Sequence, residues 1–149
     1  MERTFLMLKP DAVQRGLVGE IITRFEKKGF KLVGIKMLRV TRELAVEHYK
    51  EHRGKDFFEP TVNFLTSSPV IAMVWEGKNI VSLARSMMGA TNPANAEPAS
   101  IRGSFALDIS RNIIHGSDSV ENAEREIKLY FRENEIMSYK KSGEEWLSE

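Results

Sequence analysis

Apolar and polar positions divide the chain into a regular series of short segments. Thr4-Phe5-Leu6-Met7-Leu8 is a continuous apolar run broken by Lys9-Pro10-Asp11, which predicts a buried strand ending in a turn, with Lys9 at the strand end. Beyond Gly16, apolar residues at Leu17, Val18, Ile21, Ile22 and Phe25 keep helical spacing until Gly29 stops them. Residues 31–40 are rich in β-branched and apolar types and predict a second strand. Thr41 caps a short helix with Leu44, Ala45, His48 and Tyr49 on one face. A second short helix starts near Glu59, where Pro60 is compatible only with the first turn. The run from Val70 to Trp75 is the clearest strand, Glu76-Gly77 a turn, and Ile80, Leu83, Ala84, Met87 and Met88 return to helical spacing before Gly89.

From Thr91 to Arg102 the chain has two prolines and almost no large apolar side chain, which reads as a long loop. Long structureless loops in a compact domain tend to be functional. Residues 104–114 carry no clear period, although Asn112-Ile113-Ile114-His115 suits a short strand. Asp118 with Glu121 resembles a capping box, and Val120, Ala123, Ile127, Tyr130 and Phe131 predict a final long helix. The longer elements in order contain β-α-β-β-α-β, so the expected fold is α+β and ferredoxin-like, a four-stranded antiparallel sheet covered by helices, with a long loop before the His115 segment. That fold hosts many functions and settles none.

Composition narrows the chemistry. The length of 149 residues suits one domain, and 42% hydrophobic with 29% charged residues is an ordinary globular balance. Lysine and arginine total 22 against 21 aspartates and glutamates, without the basic excess of a nucleic-acid binder. No apolar run approaches the roughly 18 residues of a membrane helix, and Met1-Glu2-Arg3 begins no signal-peptide pattern, so a cytoplasmic protein is expected. Cysteine is absent, leaving Ser, Thr, Lys, His or a carboxylate for any covalent step. Phosphate loops of the Gly-x-x-x-x-Gly-Lys type are also absent.

Among the three histidines, His115 stands out, between an apolar pair and Gly116-Ser117-Asp118 at an element boundary. A nucleophilic histidine needs one free ring nitrogen and an acceptor on the other, for which Glu126, flanking the apolar stripe of the final helix, is a candidate. His48 and His52 lie among charges and are read as structural. Arg85, Thr91, Arg102 and Lys9 suit phosphate binding if the fold gathers them, since guanidinium groups match phosphate oxygens in a planar fork. In Phe57-Phe58, one ring is expected inside and the other is available to stack on a base.

Lys-Pro-Asp-Ala-Val-Gln-Arg-Gly-Leu-Val-Gly at 9–19, Pro69 to Gly77, Gly89-Ala90-Thr91-Asn92-Pro93, and Ile101-Arg102-Gly103 together with Asn112 to Ser119 are four stretches that resemble nucleoside diphosphate kinases. The Asn-x-x-His-Gly-Ser-Asp segment is the most specific, and the likeness runs end to end, which implies one such domain over 1–149. The resemblance implies a ping-pong phosphotransferase that carries the γ-phosphoryl group of a nucleoside triphosphate, mainly ATP, on the His115 ring nitrogen nearer Cβ and delivers it to a diphosphate. Glu126 would orient the ring and Ser117 would hydrogen-bond that glutamate. Arg85, Thr91 and Arg102 would meet phosphates, Lys9 and Asn112 the sugar, Tyr49 would lie by the histidine, and Phe57 and Ile109 would enclose the base.

It further implies Mg²⁺ arriving on the nucleotide with no direct protein ligand, Asp118 touching it through water, and broad base and sugar acceptance. A homohexamer is expected, with a tetramer second, in keeping with Trp146-Leu147 left near the chain end. The family often has leucine where Thr61 stands, glycine near Pro60 and Ala99, and an acidic residue at Ser104; none of these departures removes a reacting group. A ferredoxin-like RNA-binding module is the rival reading, but its aromatic strand motif is missing. A non-catalytic nucleotide sensor would have no use for His115.

Overall fold

The computed structural model describes residues 1–149. Strand β1 (Arg3–Leu8) is followed by α1 (Pro10–Gln14), α2 (Val18–Lys28) and β2 (Lys31–Leu38). A helical hairpin, α3 (Arg42–His48) and α4 (Phe58–Leu65), leads to β3 (Val70–Glu76) and α5 (Ile80–Met88). Next come α6 (Ile101–Phe105), β4 (Ile114–Gly116) and α7 (Val120–Tyr130). The four strands form one antiparallel sheet in the order β2-β3-β1-β4, the ferredoxin-like arrangement expected.

The continuous apolar runs of β1 and β3 are explained by their central position, because both faces of the sheet are covered. Leu6, Leu8, Met73 and Trp75 point to a core shared with α2 and α5, while Phe5, Met7, Ala72 and Val74 point to a second core with α3, α4 and α7. Alternate side chains of a strand face opposite ways, so each central strand serves both cores. β2 lies at the margin and leaves Ile35 and Met37 half exposed.

Several boundaries differ from expectation. Lys9-Pro10-Asp11 begins a five-residue helix instead of a turn, since Pro10 at its first position loses no hydrogen bond. The 91–102 loop is broken by a 3₁₀ turn (Pro93–Asn95), and Arg102 lies within α6, whose start is capped by Ser100 Oγ accepting from Gly103 N at 3.1 Å. Gly103 is required there, because a Cβ would come within 1.8 Å of the Glu97 carbonyl oxygen. The final helix is capped by Ser119, whose extended backbone lets Oγ accept from Asn122 N at 3.1 Å, and not by Asp118. The last strand begins at Ile114, two residues later than expected, because Ile113 turns the backbone at φ +68°.

Candidate functional site

One end of the sheet carries a cleft of about 620 Å³, within the range of small-molecule pockets. The proposed residues Lys9, Tyr49, Phe57, Arg85, Thr91, Arg102, Ile109, Asn112, His115, Asp118 and Glu126 all line it, although they are scattered over the chain. Ser117 is fully buried behind the wall. The separate sequence candidates thus come together in one place.

His115 is fixed on β4, opposite Met7 of β1, so its position follows from the sheet register. Its Nε2 lies 2.9 Å from Glu126 Oε1, which also accepts from Ser117 Oγ at 2.6 Å. Glu126 is a buried residue of α7, turned inward beside Ala123 and Ile127. His48, read from sequence as structural, belongs to this cluster: its Nε2 is 3.3 Å from Glu126 Oε2 and its Nδ1 2.8 Å from Tyr130 Oη. The sequence shows only that His48 shares a helical face with Tyr49, whose ring stacks on it at 4.4 Å, and does not reveal its partners on α7. Arg125 was also missed; it donates to the His48 carbonyl at 3.2 Å and ties α7 to α3.

Proton bookkeeping around Glu126 assigns the tautomers. Burial opposes ionisation of this carboxyl, yet hydrogen bonds from His115 and His48 outweigh it and hold its pKa well below the carboxylate range. An ionised carboxylate only accepts, so both histidines present Nε2–H to it, and His48 Nδ1 accepts from the Tyr130 hydroxyl. In the neutral His115 ring this tautomer leaves the Nδ1 lone pair free. Burial holds His48 neutral, its pKa lowered to about 4 against the opposing effect of the hydrogen bond it donates to Glu126. His48, His115 and Glu126 offer ligand atoms within 4.8 Å of one another, a spacing that also suits a metal ion. Here the same atoms pair as donors and acceptors.

Cations fill the opposite side. Lys9 Nζ donates to Asn112 Oδ1 at 2.8 Å, and Asn112 Nδ2 donates to the Thr91 carbonyl at 3.0 Å. Burial first, then the charge of Arg102, lowers the Lys9 pKa to about 8. Arg102 spreads its guanidinium over the carbonyls of Asn112 (3.2 Å), Gly89 (3.0 Å) and Ile114 (2.6 Å), and Arg85 donates to the Gly116 carbonyl at 3.0 Å. Burial and the nearby Arg85 lower the Arg102 pKa to about 10, so it stays charged at neutral pH. Burial raises the Tyr49 pKa above its ordinary value, keeping the phenol protonated.

At the cleft mouth Phe57 and Ile109 are about half exposed while Phe58 is buried, so one ring of the aromatic pair packs and the other remains available. Pro60 and Thr61 line the lip, and Ser104 instead serves the loop, bonding the Pro98 carbonyl at 2.8 Å. Of the two non-glycine residues at positive φ, Asn79 tolerates the left-handed region, whereas a β-branched residue such as Ile113 there costs roughly 1–3 kcal/mol.

An oriented histidine facing fixed cations, with an aromatic wall beyond, on a ferredoxin-like α+β frame, defines a phosphotransferase acting on nucleotides. The nucleoside diphosphate kinase family model matches residues 2–136. A nucleoside diphosphate kinase of Desulfitobacterium hafniense is 72% identical over 149 residues, all of both chains, and one of Carboxydothermus hydrogenoformans is 62% identical over the same span. The solved structure of a halophilic nucleoside diphosphate kinase from Halobacterium salinarum in complex with CDP is 49% identical, covers 99% of each chain and superposes with a TM-score of 0.97. The chain belongs to the nucleoside diphosphate kinase family.

No helix is long and apolar enough to cross a membrane.

Proposed function

We propose that the chain works by a ping-pong route, with ATP as the main donor and a phosphohistidine on His115 as the intermediate. The observation that carries this reading is the acceptor set of Glu126, which takes Nε2–H of His115 and leaves Nδ1 unprotonated toward the cleft. In the first half-reaction the Nδ1 lone pair attacks the γ-phosphorus. The bond from phosphorus to the β–γ bridging oxygen breaks, and its electron pair leaves on the β-phosphate of the diphosphate. In the second, a β-phosphate oxygen of another diphosphate attacks the same phosphorus, and the P–N bond electrons return to Nδ1. No proton need move in either step, so the Nε2–H bond to Glu126 persists throughout and steadies the positive charge the ring gains.

Arg85, Thr91 and Arg102 bind the phosphates, and the cations offset charge that builds on the bridging oxygen. Lys9 and Asn112 hold the sugar, with Lys9 also near the transferring group, and Tyr49 packs beside the histidine. Phe57 and Ile109 hold the base by its faces, a mode that tolerates purines and pyrimidines alike. That the Halobacterium relative was solved in complex with CDP supports the binding of a nucleotide.

Mg²⁺ fits the donor set as a cation carried by the phosphates. Glu126 is occupied by its hydrogen bonds, and Asp118 of the cleft wall already accepts from Asn122, leaving it one oxygen to meet a metal through water. Mg²⁺ on the nucleotide would neutralise phosphate charge. We place the chain in the cytoplasm as one domain in a homohexamer, a tetramer being the second choice; exposed Trp146 and the half-exposed Ile35 and Met37 of β2 supply apolar surface for partners.

Incubation with γ-labelled ATP and Mg²⁺ tests the route. The protein should take up label that is lost in acid, kept in alkali and discharged by any nucleoside diphosphate. Equal labelling of His115→Ala would overturn it.

A further inference from the structure

The turn at residues 112–114 sets both Asn112 and His115, and something must hold it. Ile114 N donates to the Asn112 carbonyl at 2.8 Å, an i to i+2 bond, and Ile113 between them has φ +68°. This is the γ-turn that L-residues rarely adopt, here around a β-branched and fully buried side chain. Such a turn persists only when its surroundings fix it.

We infer that Asp11 is a positioning residue of the active site, its carboxylate clamping the strained Ile113 turn so that His115 and Asn112 face the cleft. Asp11 Oδ2 accepts from Ile113 N at 3.0 Å across 102 residues of sequence, while the Ile113 carbonyl accepts from Lys9 N at 2.9 Å. Both polar groups of Ile113 are therefore tied to the segment Lys9-Pro10-Asp11. The other carboxylate oxygen, Oδ1, is shut away from solvent with no hydrogen-bond partner. A carboxylate is dehydrated at this place for one bond, and that bond goes to the strained residue. The short helix α1 explains itself in the same way: it turns the chain directly after β1, so that Asp11 reaches back to Ile113 while Lys9 reaches Asn112.

A bland alternative is that Asp11 only favours the first turn of α1 by its charge. The two differ in what they require. A clamp needs an acceptor at Oδ2 and acts through Ile113; a helix-end charge needs neither.

The inference rests on the assignment of His115 and Asn112 to the working site, and its test separates the two. Turnover, KM and the exchange rate of the Ile113 amide are measured for Asp11→Ala and Asp11→Asn, alone and with Ile113→Gly, beside His115→Ala. Asp11→Ala should lower kcat by roughly ten- to a hundredfold, with a smaller change in KM, because a displacement of about 1 Å suffices for such losses. Its Ile113 amide should exchange faster while those of β1 and β3 stay protected. Asp11→Asn keeps an acceptor and should recover to within about threefold of wild type. Glycine adopts positive φ freely, so with Ile113→Gly the further loss from Asp11→Ala should shrink to about twofold.

Equal losses in the alanine and asparagine variants would overturn the clamp, as would an undiminished loss in the glycine background. Wild-type turnover of Asp11→Ala beside an inactive His115→Ala would overturn the clamp alone. An active His115→Ala would remove the site assignment on which it stands. Should Asp11→Ala fail to fold, Asp11→Asn decides: a protected Ile113 amide with near-normal turnover upholds the clamp, and a large loss refutes it.

Discussion

Replacing Glu126 by glutamine should damage the site less than removing the side chain, for a reason the hydrogen-bond set makes specific. Glu126 accepts from His115 and Ser117 on Oε1 and from His48 on Oε2. A glutamine can place its carbonyl oxygen where Oε1 stands and its amide toward His48. His48 then meets a donor, and it can adapt by moving its proton to Nδ1 and donating to the Tyr130 hydroxyl, which now accepts. The charge is lost, and the Tyr130 hydroxyl proton gives up its acceptor, while the bonds of His115 and Ser117 to the carbonyl oxygen are kept. Hydrogen bonds to charged groups contribute about 1.5–3 kcal/mol against about 0.5–1.5 for neutral ones, so the His115 bond should weaken by about 1–1.5 kcal/mol. That corresponds to a roughly five- to twelvefold slower phosphorylation of His115. Glu126→Ala takes the acceptor from the Nε2–H groups of His48 and His115, leaves Ser117 Oγ only the Phe5 carbonyl and frees the ring, and the loss should exceed about a hundredfold. Single-turnover labelling with γ-labelled ATP measures the rates, and ¹⁵N shifts of the His48 ring report its tautomer. A glutamine variant as slow as the alanine variant, or one in which His48 keeps its original tautomer at wild-type rate, would refute this account.

Three further outcomes follow from the same geometry. The Lys9 ammonium, with its pKa near 8, should impose an alkaline fall in kcat/KM above about pH 8, which Lys9→Arg shifts upward; the sign for stability is opposite, because between pH 8 and 10.5 the unfolded chain holds the proton the native one releases, so this group's contribution rises with pH. For His48, whose folded pKa of about 4 lies below 6.5, the contribution is complete above pH 6.5 and lost as pH falls to 4, on the order of 3 kcal/mol in all, so urea midpoints should fall across that window and His48→Gln should flatten the fall. Phe57→Ala should raise KM about fivefold for every base with kcat kept, since a half-exposed ring contributes the lower end of stacking energies, ~1 kcal/mol; a base-specific loss would contradict face stacking.

The parts of the fold that could be read from sequence are those whose own residues determine them. β1 and β3 announce themselves because both of their faces are buried. Helix α6 does not, since its five residues contain Arg, Gly and Ser and it is held by the Ser100 cap and by the tertiary bonds of Arg102. The strand expected from Asn112 fails at Ile113 because positive φ is imposed from Asp11 and Lys9, far away in sequence. The same applies to the site. The settings of His115 and Glu126 made them candidates and the family resemblance supplied their roles, whereas His48 kept a structural reading because its partners Tyr130 and Glu126 reach it from the far end of the chain. A buried polar side chain becomes interpretable only when its partner is known.

His115 stands on the margin of the sheet, where β4 is three residues long and paired only with β1. A sheet margin ordinarily offers unpaired carbonyls to any extended chain that passes. On either side of His115 those carbonyls, Ile114 and Gly116, are taken by Arg102 and Arg85. The two guanidinium groups thus stand in for a missing fifth strand and deny the edge to foreign ones. A cleft that must stay open to solvent for nucleotides to enter and leave is in this way kept from becoming a seed for aggregation.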